Sequence, residues 1–427
     1  MVFIRIAISL AINFNWSLFQ LDINNAFLYG ELDEDVYMLL PFGYSDKNSN
    51  KVCKLLKSLY GLKQAPRKWN EKLYGFLLEF GFVQSMNDFT LFVKISNGTI
   101  VILLVYVDDI ILSGNSNEEV NKVKDFLKSK FLIKDLGKLK FFLGIEVIDI
   151  NKGVCLCQRK YCMELLHEFG MLSCKLFKTP LDCNVVIRGE GFDSNDVLIQ
   201  NVVLYQKLIG KLIYLTITRP NISYVVQVLS QFMHSLRKSH FNIAIRLLRY
   251  LKLNPGRGFA VTKGNPILKS FVDADWAKCL VSRGSITGSV VFLGDTIISW
   301  KSKKQDTLSR SSTESEYRAL GVISCEIMWI LKIFFDVGLK DLTHVPIFCD
   351  NESAIKLVHN PVFNEKTKHF DVDTHFIRDR VSKGVVEVHK VSSDFILTDI
   401  FTKPLGVVQH EWICKNLGLV DPFQNKC

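Results

Sequence analysis

Hydrophobic and polar positions along this chain follow two periods, one suited to strands and one to helices, and together they divide it into parts. Residues 100–113 read IVILLVYVDDIILS: an apolar, β-branched-rich run, the adjacent carboxylates Asp108 and Asp109, then a second apolar run. That pattern predicts two buried strands joined by a tight turn with both carboxylates at its tip. Two-residue hairpin turns favour Asn-Gly or Asp-Gly because the backbone there needs positive φ. An Asp-Asp pair therefore combines poor turn chemistry with like-charge repulsion, which a divalent cation would relieve. Upstream, FQLDINNAFLYG (19–30) predicts a short strand ending near Asp22 that turns into a helix. Asp22 can then lie beside the hairpin tip in a shared sheet. An amphipathic helix is expected from about Pro66, after the early basic patch of Lys54, Lys57, Lys63, Arg67 and Lys68. Another follows Ser116, where Ser116 and Glu119 have capping-box spacing and Val120, Val123, Leu127 and Phe131 continue the apolar stripe.

From about residue 171 the texture changes to a loop with Pro180 and acidic, Gly-containing surroundings at 189–196, followed by two helices. The second, about 235–253, carries Arg237, Lys238, His240, Arg246, Arg249 and Lys252, a face that either tracks a phosphate backbone or is simply solvated. Asn254-Pro255-Gly256 closes it. The last third predicts a compact mixed α/β domain. LKSFVDADW, SITGSVVFLG and TIISWKS read as strands, a long helix starts at Ser312, VPIFCD ends in Asp350, and ILTDIFTKPL is a helical turn containing Asp399. Thr313 to Glu316 has capping-box spacing, but counting the stripe Leu320, Ile323, Ile327, Leu331 and Phe334 backwards lands on position 316. Glu316 is thus expected to face the interior while Glu314 points elsewhere. A buried carboxylate needs a partner, and a metal shared with Asp273 and Asp350 would supply one.

A length of 427 residues suits two or three domains, and 48% hydrophobic content with 31 Phe excludes a disordered chain. The net charge of +10 points weakly to a polyanionic partner. Eleven scattered cysteines, with only Cys155 and Cys157 close together, suggest neither a disulfide framework nor a zinc ribbon, and fit a reducing, intracellular setting. The first 16 residues, apolar but interrupted by Asn13 and Asn15, read as a buried helix rather than a signal peptide, and no membrane span is expected.

With an acid triad on one predicted sheet and an acid quartet on another, the chain resembles the reverse transcriptase and ribonuclease H portion of a copia-type retrotransposon Pol polyprotein. The resemblance rests on FQLDINNAFLYGELDEDVYM, SLYGLKQAPRKW, YVDDIILSG, DLGKLKFFLGIEV, YQKLIGKLIYLTITRPNISY, SSTESEYRAL, CDNESAI, TKHFDVDTHFIRD and ILTDIFTKPL, which match in order and spacing. It implies α+β and α/β architecture in three segments: a palm with antiparallel sheet and helices (1–170), a helical thumb or connection (171–262), and a ribonuclease H-like mixed-sheet domain (263–427).

By the same resemblance, Asp22, Asp108 and Asp109 are the palm carboxylates that hold two Mg²⁺, with Mn²⁺ an alternative. Phe27 lies under the incoming sugar, Gly61, Gln64 and Pro66 line the template and nucleotide pocket, and Tyr106 precedes the Asp pair. Asp273, Glu316, Asp350 and Asp399 are the ribonuclease H quartet, also binding two metals; Asp371 and Asp373, in TKHFDVD, compete with Asp399 for the fourth place. The partners implied are an RNA template, a DNA primer, dNTPs and an RNA–DNA hybrid; no oligomeric state is implied. A family member carries a fingers region ahead of the Asp22 motif, whereas 21 residues precede Asp22 here. The expectation is a chain starting inside the polymerase domain, with a weakened triphosphate grip and impaired polymerisation. The alternative is a catalytically inactive remnant acting as a nucleic-acid-binding scaffold.

Overall fold

The computed structural model describes residues 1–41, 43–44, 51–185, 187, 196–200, 202–339, 342–359 and 371–424, apart from the side chains of 371–374. The architecture is mixed α/β with largely antiparallel sheets. Two compact units emerge, one of residues 14–139 and 333–339, the other of 1–13, 140–332 and 340–427. Elements distant in sequence share sheets. Strands Ile145–Ile150 and Gly153–Cys157, for example, pair onward to Gly258–Thr262 and Leu419–Val420.

In the unit of 14–139 a six-stranded antiparallel sheet runs Val83–Gln84, Leu91–Ser96, Thr99–Tyr106, Asp109–Gly114, Ser17–Ile23 and Ile133–Lys138. Helices Ala65–Glu79 and Asn117–Lys130 present Trp69, Leu73, Leu77, Val120, Val123 and Leu127 to Leu21, Leu103 and Leu112 of the strands in one core. The Ser116 hydroxyl accepts from the Glu119 N–H at 3.4 Å, as the capping spacing predicts.

In the other unit, helix Val2–Phe14 is buried along most of its length. Its Arg5 guanidinium stacks 3.6 Å from the Trp300 ring centroid and donates to the carbonyls of Ile217 and Ile298. A five-stranded sheet runs Thr296–Lys304, Ile286–Leu293, Leu268–Asp275, Val345–Cys349 and Val386–Lys390, antiparallel across the first three strands and parallel thereafter. The long helix is Ser312–Asp336.

Two expectations from the sequence are revised. The helices after residue 171 are Val203–Leu215, Ser223–Ser230 and Lys238–Leu253, three rather than two, with Pro220 at the break. Three of the basic residues on the last helix pack against the fold, while Lys238 is exposed. Arg246 and Arg249 sit over the Phe177 ring, and the Lys252 ammonium donates to the Cys174 carbonyl at 2.7 Å, so they clamp the 174–182 segment. The acidic stretch at 189–195 lies outside the described residues. Among the described residues no helix is long and apolar enough to cross a membrane.

Candidate functional site

The hairpin forms as predicted, but only Asp108 lies in its turn. Strand Thr99–Tyr106 pairs with Asp109–Gly114 so that Tyr106 faces Asp109, leaving Val107 and Asp108 as the two turn residues. Val107 takes φ 58°, a left-handed conformation that a β-branched residue adopts at a cost of about 1–3 kcal/mol. The poor turn chemistry inferred for the Asp pair therefore falls on the valine. The buried Trp69 holds it there, its indole N–H donating to the Val107 carbonyl at 2.7 Å.

Strand Ser17–Ile23 runs beside the hairpin with Asp22 directly opposite Asp109, and cross-strand partners point to one face. The Ile23 N–H donates to the Asp108 carbonyl at 2.9 Å, which ties the strand to the turn. Three carboxylates are thus assembled at one sheet end. Burial pushes the Asp109 carboxyl above its ordinary value; the Gln20 amide, donating at 3.3 Å, opposes this, and the charges of Asp108 and Asp22 add to it. Burial likewise raises the Tyr60 phenol, and the same two aspartates reinforce it.

Tyr60 packs its ring 4.5 Å from Phe27, which lies in the 3-10 turn Ala26–Tyr29, so Phe27 reaches the acid cluster through Tyr60. Gly61, next in sequence, has φ +95° and open space where a Cβ would stand. Gln64 precedes helix Ala65–Glu79 and donates to Glu34 at 3.2 Å, Pro66 occupies the first turn of that helix, and Tyr106 is 53% exposed. Three of the five residues of the early basic patch are paired within the fold: Lys54 with Asp35, Arg67 with Glu71, and Lys68 with Asp33 and Glu71.

The second cluster assembles on the five-stranded sheet. Asp273 is 7% exposed on strand Leu268–Asp275, and its Oδ2 accepts from the Thr402 hydroxyl at 2.6 Å. Burial pushes its carboxyl up to about 6; Thr402 opposes the shift, and the charges of Asp399 and Asp350 assist it. Glu316 Oε1 accepts from the Ala274 N–H at 3.1 Å, and its Oε2 lies 3.8 Å from the Cys349 thiol. Burial, then the charge of Asp273, holds Glu316 well above the usual carboxylate range. Ligand atoms of Glu316, Cys349 and Asp350 all lie within 4.8 Å of one another. Asp350 is half-buried and accepts from Ser393 at 2.9 Å.

Asp399, in the 3-10 segment Leu397–Phe401, pairs with Lys403 at 2.8 Å and accepts from Gln409 at 3.0 Å. Gly288, opposite Asp273 in the neighbouring strand, lets that segment approach: an added Cβ would stand 2.8 Å from the Thr398 carbonyl and 2.8 Å from Thr402 Cγ2. The side chains of Asp371 and Asp373 lie outside the described residues.

The start of the long helix corrects one inference. Glu314 is buried like Glu316: it accepts from the Arg310 N–H and from Arg318, while its own N–H donates to the Ser311 hydroxyl. The cap is Ser311, accepting from Glu314, two residues ahead of the Thr313–Glu316 spacing, and this leaves Glu316 free for the sheet. Sequence reasoning missed the supporting groups Gln20, Tyr60, Trp69, Cys349, Thr402, Lys403 and Gln409. All but Gln409 lie inside the matched motifs, and that was their only signal.

The family model described as Reverse transcriptase (RNA-dependent DNA polymerase) matches residues 1–183. Over 419 residues the chain is 42% identical to the Retrovirus-related Pol polyprotein from transposon RE1 of Arabidopsis thaliana, covering 97% of this chain and 28% of that protein. It is 40% identical over 420 residues to the corresponding RE2 polyprotein of the same plant, again 28% of that protein. The chain thus spans little more than a quarter of these polyproteins. It is also 31% identical over 302 residues to the putative transposon Ty5-1 protein of Saccharomyces cerevisiae, covering 97% of it. Among solved structures, that of the foamy viral protease-reverse transcriptase in complex with RNA/DNA hybrid aligns over 88% of this chain and 44% of that chain, with 13% identity and a TM-score of 0.48.

Proposed function

Because this chain belongs to the reverse transcriptase family of copia-type retrotransposon Pol polyproteins, we propose that it is an RNA-directed DNA polymerase that also cleaves the RNA strand of RNA–DNA hybrids. The observation that carries the polymerase reading is the register that sets Asp22 opposite Asp109 and bonds Ile23 to the Asp108 carbonyl. Asp22, Asp108 and Asp109 would hold Mg²⁺ or Mn²⁺ in one centre, and Asp273, Glu316, Asp350 and Asp399 in the other. The donor sets fit, since all seven offer the hard oxygen ligands these ions prefer. Burial, and after it the charge of neighbouring carboxylates, raises Asp109, Asp273 and Glu316, which a cation would offset. The ions would supply charge neutralisation for the attacking 3′-hydroxyl and departing pyrophosphate in the first centre, and for water attack on the RNA phosphodiester in the second.

The chain's own groups have separable tasks. Gln20 orients Asp109, Trp69 fixes the turn that presents Asp108, Thr402 orients Asp273, and Lys403 balances the charge of Asp399. Phe27, with Tyr60 against it, would sit under the sugar of an incoming dNTP, while Gly61, Gln64, Pro66 and Tyr106 would border the template. The segments 1–170, 171–262 and 263–427 would serve as polymerase, connection and nuclease parts.

Primer extension with Mg²⁺ on an RNA template and cleavage of a labelled hybrid test the two activities separately. Asp109→Asn should abolish extension and spare cleavage, and Asp350→Asn should do the reverse. Extension unchanged in Asp109→Asn refutes the polymerase assignment. Hybrid binding with steep salt dependence and no turnover in either assay would identify a scaffold instead.

A further inference from the structure

A cavity of about 280 Å³ lies in the unit that holds the second acid cluster, lined by Val228, Phe232, Leu280, Ile286 and Pro404 among its apolar walls. Several polar groups also line it or border it. Cys279 sits in the tight loop after strand Leu268–Asp275, where its N–H donates to the Gly284 carbonyl and the Arg283 N–H donates back to its carbonyl. Ala277 and Arg283 in that loop both take left-handed φ, at 52° and 55°, a strain that has to be sustained by the surroundings. The loop wraps the sulfur in donors. Burial works against the thiolate, but the Ser282 hydroxyl and N–H, the Lys304 ammonium and the Val281 N–H outweigh it and hold the thiol below its ordinary value. Lys304 lies 4.0 Å from the sulfur and is itself held at 2.7 Å by Gln231, another lining residue.

The second group is Tyr224. It is 6% exposed, lines the cavity within electrostatic reach of Cys279, and among the described residues its hydroxyl takes no hydrogen bond. The hydroxyl is not sealed off from the cavity, so Tyr224 brings an uncommitted donor to the wall that Cys279 also lines. A second thiol, Cys183, lines the same cavity.

We propose that this cavity is a covalent ligand site, in which Cys279 adds to a compact α,β-unsaturated carbonyl compound whose oxygen is bound by Tyr224. The thiol releases its proton to water, the sulfur lone pair forms the S–Cβ bond, and the Cα=Cβ π pair shifts to give an enolate. Tyr224 stabilises the enolate oxygen by hydrogen bonding, and a proton from water at Cα completes a neutral thioether. No oxidant or reductant is required. The apolar walls take the alkyl part of the ligand, and the volume limits its size. Neither proposed activity uses Cys279, Lys304 or Tyr224, so this site stands or falls independently of them.

The test uses the full chain and N-ethylmaleimide, with the adduct at each cysteine followed by peptide mass spectrometry at pH 7. Cys279 should label at least tenfold faster than Cys325, an exposed thiol in the same molecule. Tyr224→Phe should slow Cys279 about fivefold, and Lys304→Met should slow it further, with Cys325 unchanged in both. A pyrene-substituted maleimide, too large for the cavity, should erase the advantage of Cys279 in the wild-type chain, a readout that needs no variant to fold. The proposal is overturned if Cys279 labels no faster than Cys325, if the bulky reagent keeps the same preference, or if both substitutions leave the rate unmoved.

Discussion

Replacing Asp273 by Asn should make the metal-free protein more stable while destroying hybrid cleavage. Asp273 is almost fully buried, and its carboxyl is raised from the ordinary 3.8 to about 6, by burial first and then by Asp399 and Asp350 against the Thr402 hydrogen bond. A folded-state value above the unfolded one means that the folded chain keeps its proton where the unfolded chain has released it. This group's contribution to stability is fully present below about pH 4, declines as pH rises through the interval from 4 to 6, and is gone above it. The interval of about two units corresponds to about 3 kcal/mol. Asn is nearly isosteric and can accept the same Thr402 hydrogen bond without a charge. In EDTA at pH 8 Asp273→Asn should therefore unfold at higher urea, with a gain of about 2–3 kcal/mol in the transition reported by Trp300 and Trp276. At pH 4 the gain should vanish. Mg²⁺ should then stabilise the wild-type chain more than the variant, because a ligand stabilises in proportion to its affinity for the folded state. A variant less stable than wild type at pH 8, or a gain that does not shrink at pH 4, would refute the assignment of Asp273 as a carboxylate held at an energetic cost for function.

Other outcomes follow from particular contacts. Val107→Asn should raise the melting temperature of the unit containing the hairpin by a few degrees, since Asn tolerates the left-handed conformation that costs valine about 1 kcal/mol or more; a drop would show that the valine's packing outweighs its strain. Trp69→Phe keeps the ring but removes the donor to the Val107 carbonyl. It should cost about 1–2 kcal/mol and reduce primer extension, with faster amide exchange at Val107 and Asp108 as the direct check. Gly288→Ala should push the Asp399 segment off the sheet, cutting hybrid cleavage at least tenfold at a stability cost of about 1–3 kcal/mol and leaving primer extension intact. Equal loss of both activities would argue against a local effect.

The alternation of apolar and polar positions determined most of the elements here, because strand and helix periods are local properties of the backbone. The hairpin at 100–113, the strand carrying Asp22, the helix capped by Ser116 and the strands of the last third are all legible from residue order. The same patterning marked Asp22 with Asp108 and Asp109, and Glu316 with Asp273 and Asp350, while Asp399 joined them through the family resemblance. Residue order could not say which side chain absorbs the strain of the turn. That depends on register, and pairing Tyr106 with Asp109 puts Val107 in the left-handed position. Nor could it separate Glu314 from Glu316 by helical period, since a helix start buried on two sides breaks the rule of one apolar face. Part of the basic patch looked available for phosphate until Asp33 and Asp35, from a neighbouring strand, paired with Lys68 and Lys54. Charges, caps and pKa shifts depend on what lies within a few ångströms, and only tertiary structure decides which distant residues those are.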